Sequence, residues 1–166
     1  MLRRSKTDRA KSDGAPEPGG SKGVLVVNDD EDVCELLCRV LESRHELTTY
    51  RAHSSDSALD ELATNQASIQ GVVLDFSAGT AASFVVLEAI RRRPELGNPA
   101  VIILATTTAN RVLAFDSGVD EFLTRPFQSD DFLDLVGEVL ARSPAERDAY
   151  RTQQTVAGRG LSNLDG

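Results

Sequence analysis

Three apolar runs and a fourth, mixed one lead into residues able to do chemistry. Val24-Leu25-Val26-Val27 is followed by Asn28-Asp29-Asp30-Glu31-Asp32, and Gly71-Val72-Val73-Leu74 by Asp75. Val101-Ile102-Ile103-Leu104 is followed by Ala105-Thr106, and Glu121-Phe122-Leu123-Thr124 by Arg125. Carboxylates with carbonyls and water suit a hard divalent cation, and Mg2+ is the natural candidate. An aspartate beside such a metal, with a cation and a hydroxyl near it, can act as a nucleophile toward a phosphoryl group. Metal and cation neutralise the oxygens of the transferring group, while a threonine hydroxyl such as that of Thr106 hydrogen-bonds the product. Plainer roles compete with this one. Acids at 30–32 suit the first turn of a helix, and a strand-end aspartate can simply cap a turn.

These residues work together only if their strands lie side by side. Runs of β-branched residues and leucine without alternation are the pattern of strands buried on both faces of a parallel sheet. Val33, Leu36, Leu37, Val40 and Leu41 fall on one helical face, predicting a helix over about residues 31–43. Leu47 to Ala52 reads as a more polar strand near the sheet edge. A helix capped by Ser55 or Asp56 follows it. Phe84, Val85, Leu87, Ala89 and Ile90 mark a third helix, stopped near Pro94. A weaker helix spans about 109–116, and a last one, capped by Ser129, carries Phe132, Leu133, Val136 and Val139. Five strands, each followed by a helix, imply an α/β fold with a doubly wound five-stranded parallel sheet. All strand ends then share one edge, where such sheets bind ligands.

Composition bounds the function. Of the 166 residues, 26 are acidic and 18 basic, but residues 1–23 hold six basic residues and only three acids. That stretch, rich in Ser, Gly and Pro, reads as a disordered basic tail. The acidic remainder argues against direct DNA binding, which needs a basic face. No run approaches the length of a membrane span, and no apolar segment follows the basic start as in a secretory signal. Cys34 and Cys38 read as reduced thiols packed beside the core of a cytoplasmic protein. Residues 143–166 are expected to hold at most a short helix, begun by Ser143-Pro144, before fading into a polar tail.

The motifs VLVVNDDED, VVLDF, VIILAT and SGVDEFLTRPF, taken in order over about residues 23–142, resemble the receiver domains of two-component response regulators. The resemblance implies a flavodoxin-like (βα)5 fold over 24–142 that takes a phosphoryl group from a histidine kinase or phosphotransfer protein. It implies Asp75 as phosphoacceptor, Asp29 and the backbone carbonyl of Ser77 as Mg2+ ligands, and Phe122 as the aromatic that reports the switch. Asn28 stands where the family has a further acid, whose contact to the metal runs through water. Arg125 stands in place of a lysine, before a proline whose peptide is commonly cis.

Several positions depart from that pattern. Asn28 removes one negative charge and should weaken the metal site. Arginine keeps the charge of lysine but replaces a compact ammonium with a planar fork. Ala105-Thr106 reverses the family's Thr-Ala order, so an unbroken register puts Ala105 at the hydroxyl position. The loop that follows is about three residues short, and Ser83 lies near a usual glycine. The expected function is therefore that of an atypical stand-alone regulator, not an enzyme. Its output is expected by contact with a downstream protein through the fourth helix, fifth strand and fifth helix, with a homodimer left open. The alternative is a phosphorylation-independent pseudo-receiver acting as an interaction module. A Mg2+-dependent phosphatase using Asp30-Glu31-Asp32 is disfavoured, because those acids lie past the strand end. A flavin-binding flavodoxin is disfavoured because its first loop must cradle phosphate and this one is acidic.

Overall fold

The four runs that end in reactive residues become four strands of one sheet. A computed structural model describes residues 20–162; most of the basic N-terminal stretch lies outside them. The strands are β1 (Lys22–Val27), β2 (Leu47–Ala52), β3 (Ile69–Leu74), β4 (Ala100–Ala105) and β5 (Glu121–Thr124). The helices are α1 (Glu31–Glu42), α2 (Ser55–Thr64), α3 (Ala81–Arg92), α4 (Arg111–Asp116), α5 (Ser129–Ala141) and α6 (Pro144–Ser162), with a 3-10 turn at Pro94–Leu96. The strand order is β2-β1-β3-β4-β5 and every pairing is parallel. This is the flavodoxin-like doubly wound order.

Both faces of the sheet are covered, which is why the central strands carry no polar alternation. Leu25, Val27, Val72, Leu74, Val101 and Ile103 pack against α2, α3 and α4 through Leu62, Leu87, Ile90 and Phe115. Val24, Val26, Val73, Ile102 and Leu104 face α1 and α5 through Leu37, Leu41, Phe132 and Val136. Cys34 and Cys38 are buried in this second layer as free thiols, and Cys34 Sγ donates to the Val26 carbonyl at 3.7 Å. Burial, reinforced by the neighbouring Cys38, pushes the Cys34 thiol up to about 12. Ser83 is also buried, and its hydroxyl has no partner among the described residues.

Helix starts differ in detail from the sequence expectation. Asp30 caps α1, its carboxylate accepting from the N–H groups of Asp32 and Val33. Ser54, rather than Ser55 or Asp56, caps α2 in a reciprocal box with Ser57. Ser129 is the first residue of α5; the cap position belongs to Gln128, which makes no side-chain capping bond. None of the helices among the described residues is long and apolar enough to cross a membrane.

The largest departure is α6, with 19 residues where a short helix was expected. It starts with a capping box: the Glu146 N–H donates to Ser143 Oγ at 3.1 Å and the Ser143 N–H to Glu146 Oε1 at 3.4 Å. It is then held by charge. Just before β5, Asp120 is fully buried and accepts from Arg147 Nε at 2.7 Å, Arg151 Nη1 at 2.8 Å and Arg91 Nη2 at 2.8 Å. Burial alone would raise the Asp120 carboxyl; the arginines and the N–H of Val101 outweigh it and hold it below the ordinary range. Burial first, and then the neighbouring Arg147 and Arg151, pull Arg91 down to about 10 against the attraction of Asp120, so it stays charged at neutral pH. Next to it, Glu121 accepts from the Tyr150 hydroxyl at 2.7 Å, and Arg142 stacks 3.9 Å from the Tyr150 ring centre.

From there α6 runs along α4. Tyr150 meets Phe115 edge-on, Arg111 reaches Gln154, and Arg159 pairs with Asp116. A Cβ on Gly158 would stand 2.4 Å from Val112 Cγ2. Gly158→Leu is therefore expected to lift the end of α6 from α4. The check is faster amide exchange and faster tryptic cutting after Arg151 and Arg159, with β-sheet protection unchanged. Undiminished protection of α6 would mean that it does not rest on this glycine.

Candidate functional site

The carboxyl ends of β1, β3, β4 and β5 open into a pocket of about 420 Å3 whose lining includes Asn28, Asp75, Ser77, Thr80, Thr106 and Arg125. Three of these residues are carried there by ladders that extend one residue past their strands. The Asn28 N–H donates to Ala52 O at 3.0 Å, the Asp75 N–H to Val27 O at 2.9 Å, and the Arg125 N–H to Ala105 O at 2.8 Å. Asn28 and Asp75 are almost fully buried, 3% and 5% exposed, so their side chains must find partners within the protein.

They find each other. Asn28 Nδ2 donates to Asp75 Oδ2 at 2.7 Å, while its Oδ1 accepts from the Asp30 N–H at 2.8 Å. These two contacts set the orientation of the amide, so a donor and not an oxygen faces Asp75. Arg125 completes the set with a fork, Nη1 to Asp75 Oδ1 at 2.7 Å and Nη2 to Oδ2 at 2.5 Å. Such parallel charge-assisted bonds are among the stronger polar contacts a protein makes. The Asp75 hydrogen bond pushes the Arg125 guanidinium further up, against the opposing effect of burial. The guanidinium also lies 5.6 Å from the centre of the Phe127 ring, across the cis Arg125–Pro126 peptide.

Asp29 projects from the same strand end but stays exposed. Its carboxylate accepts from the Ser77 hydroxyl at 2.6 Å and the Ser77 N–H at 2.8 Å, and these bonds hold it below the usual carboxylate range. Ser77 thus gives both its hydroxyl and its N–H to Asp29. The β4–β5 register runs unbroken to Ala105, which pairs with Thr124. Ala105 is buried as the last residue of β4, and Thr106 stands exposed just beyond it on the pocket wall. Phe122 is 3% exposed, packed in the α2–α3–α4 layer rather than in the pocket. Its carbonyl accepts from Arg111 at 3.0 Å.

Three residues not singled out from the sequence also belong here. Asn110 Nδ2 donates to Thr80 Oγ1 at 2.9 Å, tying together two loops that line the pocket. His53 Nδ1 lies 2.9 Å from the Asn28 carbonyl, behind the amide that meets Asp75. Their only sequence signal is that they sit in loops just past strand ends.

For a divalent cation the donor set is suitable in kind, with the carboxylates of Asp29 and Asp75 and the carbonyl of Ser77 on adjoining strand ends. It is lean in number. Among the described residues no three His, Cys, Asp or Glu side chains group so as to hold a metal ion. Asn28 supplies an amide where a third acid would complete the set.

Comparison with known proteins matches residues 24–137 to the family model described as response regulator receiver domain. The chain is 30% identical over 135 residues to response regulator MprA of Mycobacterium avium, covering 80% of this chain and 57% of that protein. It is 28% identical over 121 residues to transcriptional regulatory protein CpxR of Escherichia coli, covering 72% and 50%. The chain thus spans about half the length of the curated relatives it matches. Among solved structures, the receiver domain of Francisella response regulator 1452 superposes with a TM-score of 0.63 at 26% identity, covering 72% of this chain and 97% of that one.

Proposed function

Because the chain belongs to the response regulator receiver domain family, we propose that it takes a phosphoryl group on Asp75 and signals through protein contact. The observation that carries this reading is the near-buried Asp75 carboxylate at the end of β3, facing an arginine fork inside an open pocket. The donor is a phosphohistidine on a histidine kinase or a phosphotransfer protein, met in the cytoplasm. An Asp75 oxygen attacks phosphorus; the O–P bond forms as the P–N bond breaks, and the departing imidazole keeps the electron pair and gains a proton from solvent. Arg125 follows the charge from the carboxylate to the new phosphoryl oxygens, which stabilises charge where it develops. Thr106, at the pocket wall, offers a hydroxyl to the product.

Receiver domains generally bind Mg2+ for this chemistry. In this chain Asp29, Asp75 and the Ser77 carbonyl would hold it, with Asn28 through water, and the metal would neutralise the phosphoryl oxygens. The family's switch role falls on Thr106 and Phe122. The second is joined through its carbonyl to Arg111 at the start of α4, and α4 carries α6. Output through α4, β5 and α5 therefore includes the surface of α6, which covers the outer side of α4.

The test is an intact-mass measurement after incubation with Mg2+ and acetyl phosphate, with Asp75→Ala alongside. One added phosphoryl group in the parent and none in the variant is the expected result. No gain at saturating Mg2+, either from acetyl phosphate or from a phosphorylated kinase, would leave an interaction module without phosphoryl chemistry.

A further inference from the structure

We propose that Arg125 is the resident cation of the pocket and that it competes with a divalent metal for Asp75. The proposal rests on the reading of Asp75 as the group that metal and phosphoryl approach.

Both Asp75 oxygens are taken by the two arms of one guanidinium, at 2.7 and 2.5 Å, and one of them also accepts from Asn28 at 2.7 Å. These three bonds use three of the carboxylate's roughly four acceptor positions, and the fork holds a full positive charge against both oxygens, so a metal that is to bind Asp75 closely must displace at least one arm. The competitor is intramolecular, hence present at a constant high effective concentration. It also cannot be neutralised by pH, since an arginine in a protein stays protonated. Its seat is prepared by three fixed contacts: the ladder bond from its own N–H to Ala105, the Phe127 ring beside it, and the carboxylate itself.

The amide at position 28 acts in the same direction. A carboxylate held 2.7 Å from Asp75 would repel it, and a divalent cation would relieve that repulsion. Asn28 donates instead, so the pair is content without metal. Asp29 is likewise satisfied by Ser77. The departures at 28 and 125, together with the pairing of Asp29 and Ser77, form one arrangement, in which hydrogen bonds and a tethered charge hold the place of a metal.

The competition is read by calorimetric titration of Mg2+ and Mn2+ into the full chain, with no phosphodonor present. Arg125→Met is expected to bind Mg2+ about tenfold tighter than the parent, by removing one nearby positive charge and the fork. Arg125→Lys is expected to fall between them, because one compact ammonium leaves an Asp75 oxygen open. Asn28→Asp is expected to tighten binding in both backgrounds. Asp75→Ala combined with Arg125→Met should abolish the gain. Equal affinities for parent, Arg125→Met and Arg125→Lys, with circular dichroism unchanged, would overturn the proposal, as would tighter binding that survives loss of Asp75. Binding is measured apart from phosphorylation, so failure here leaves phosphoacceptance standing, and failure of phosphoacceptance leaves the competition measurable.

Discussion

Asp120→Ala is expected to lower the stability of the fold by about 3–5 kcal/mol, the range for breaking a buried ion pair by removing one partner. The carboxylate is fully buried, and its loss leaves the side chains of Arg147, Arg151 and Arg91, only 9–19% exposed, without their shared counter-charge. It also strips the Val101 N–H of its side-chain acceptor. Urea unfolding followed by circular dichroism reads the effect. A midpoint equal to that of the parent would show that the arginines relax into solvent at no cost. The same carboxylate sets an acid limit. Its pKa is lowered in the folded state, so its stabilising contribution is present above the ordinary carboxylate range and is lost as the pH falls below about 4. The melting temperature of the parent should drop through that window, and that of Asp120→Ala should drop less.

Phe132→Ala is the second large effect, expected to cost about 3–5 kcal/mol through the cavity it leaves. Phe132 is fully buried on the sheet-facing side of α5, and its ring centre lies 5.5 Å from that of Phe127. Phe127 in turn flanks the Arg125 guanidinium. The substitution therefore removes core packing and also loosens the floor under the fork. Urea unfolding measures the first effect. Broadening of the Arg125 Nε resonance measures the second, and Phe132→Leu should restore most of the stability. A sharp, unshifted resonance in a destabilised Phe132→Ala protein would mean that Arg125 is held by Asp75 alone.

What could be read from the sequence follows from what each element is held by. The strands at 24–27, 71–74 and 101–104 are buried on both sides, and continuous apolar runs record that directly. Helix α1 shows an apolar face because it packs on the sheet. Helix α6 was not legible in the same way: its anchors are Arg147, Tyr150, Arg151 and Gln154, which look like solvent-facing residues in a polar segment. Asp120, the partner of Arg147 and Arg151, sits inside a stretch already accounted for by the family motif, so nothing marked it as a docking point. In the pocket, residue types were visible but pairings were not. The residue type at Asn28 gave no sign of the hydrogen bond it donates to Asp75. Arg125 read as a substitute for lysine, whereas its second arm reaches the other oxygen of the same carboxylate.

The arginines on α6 also bear on where this protein can be cut. The family model ends at residue 137, seven positions before α6 begins. A fragment trimmed to that boundary would keep every strand and the whole pocket. It would lose Arg142, Arg147 and Arg151 from the buried acids at 120 and 121, and would bare the outer side of α4 to water. Such a fragment is the natural choice for expression and crystallisation, and the one least suited to either. For this chain, homology places the end of the domain well short of where its electrostatics close.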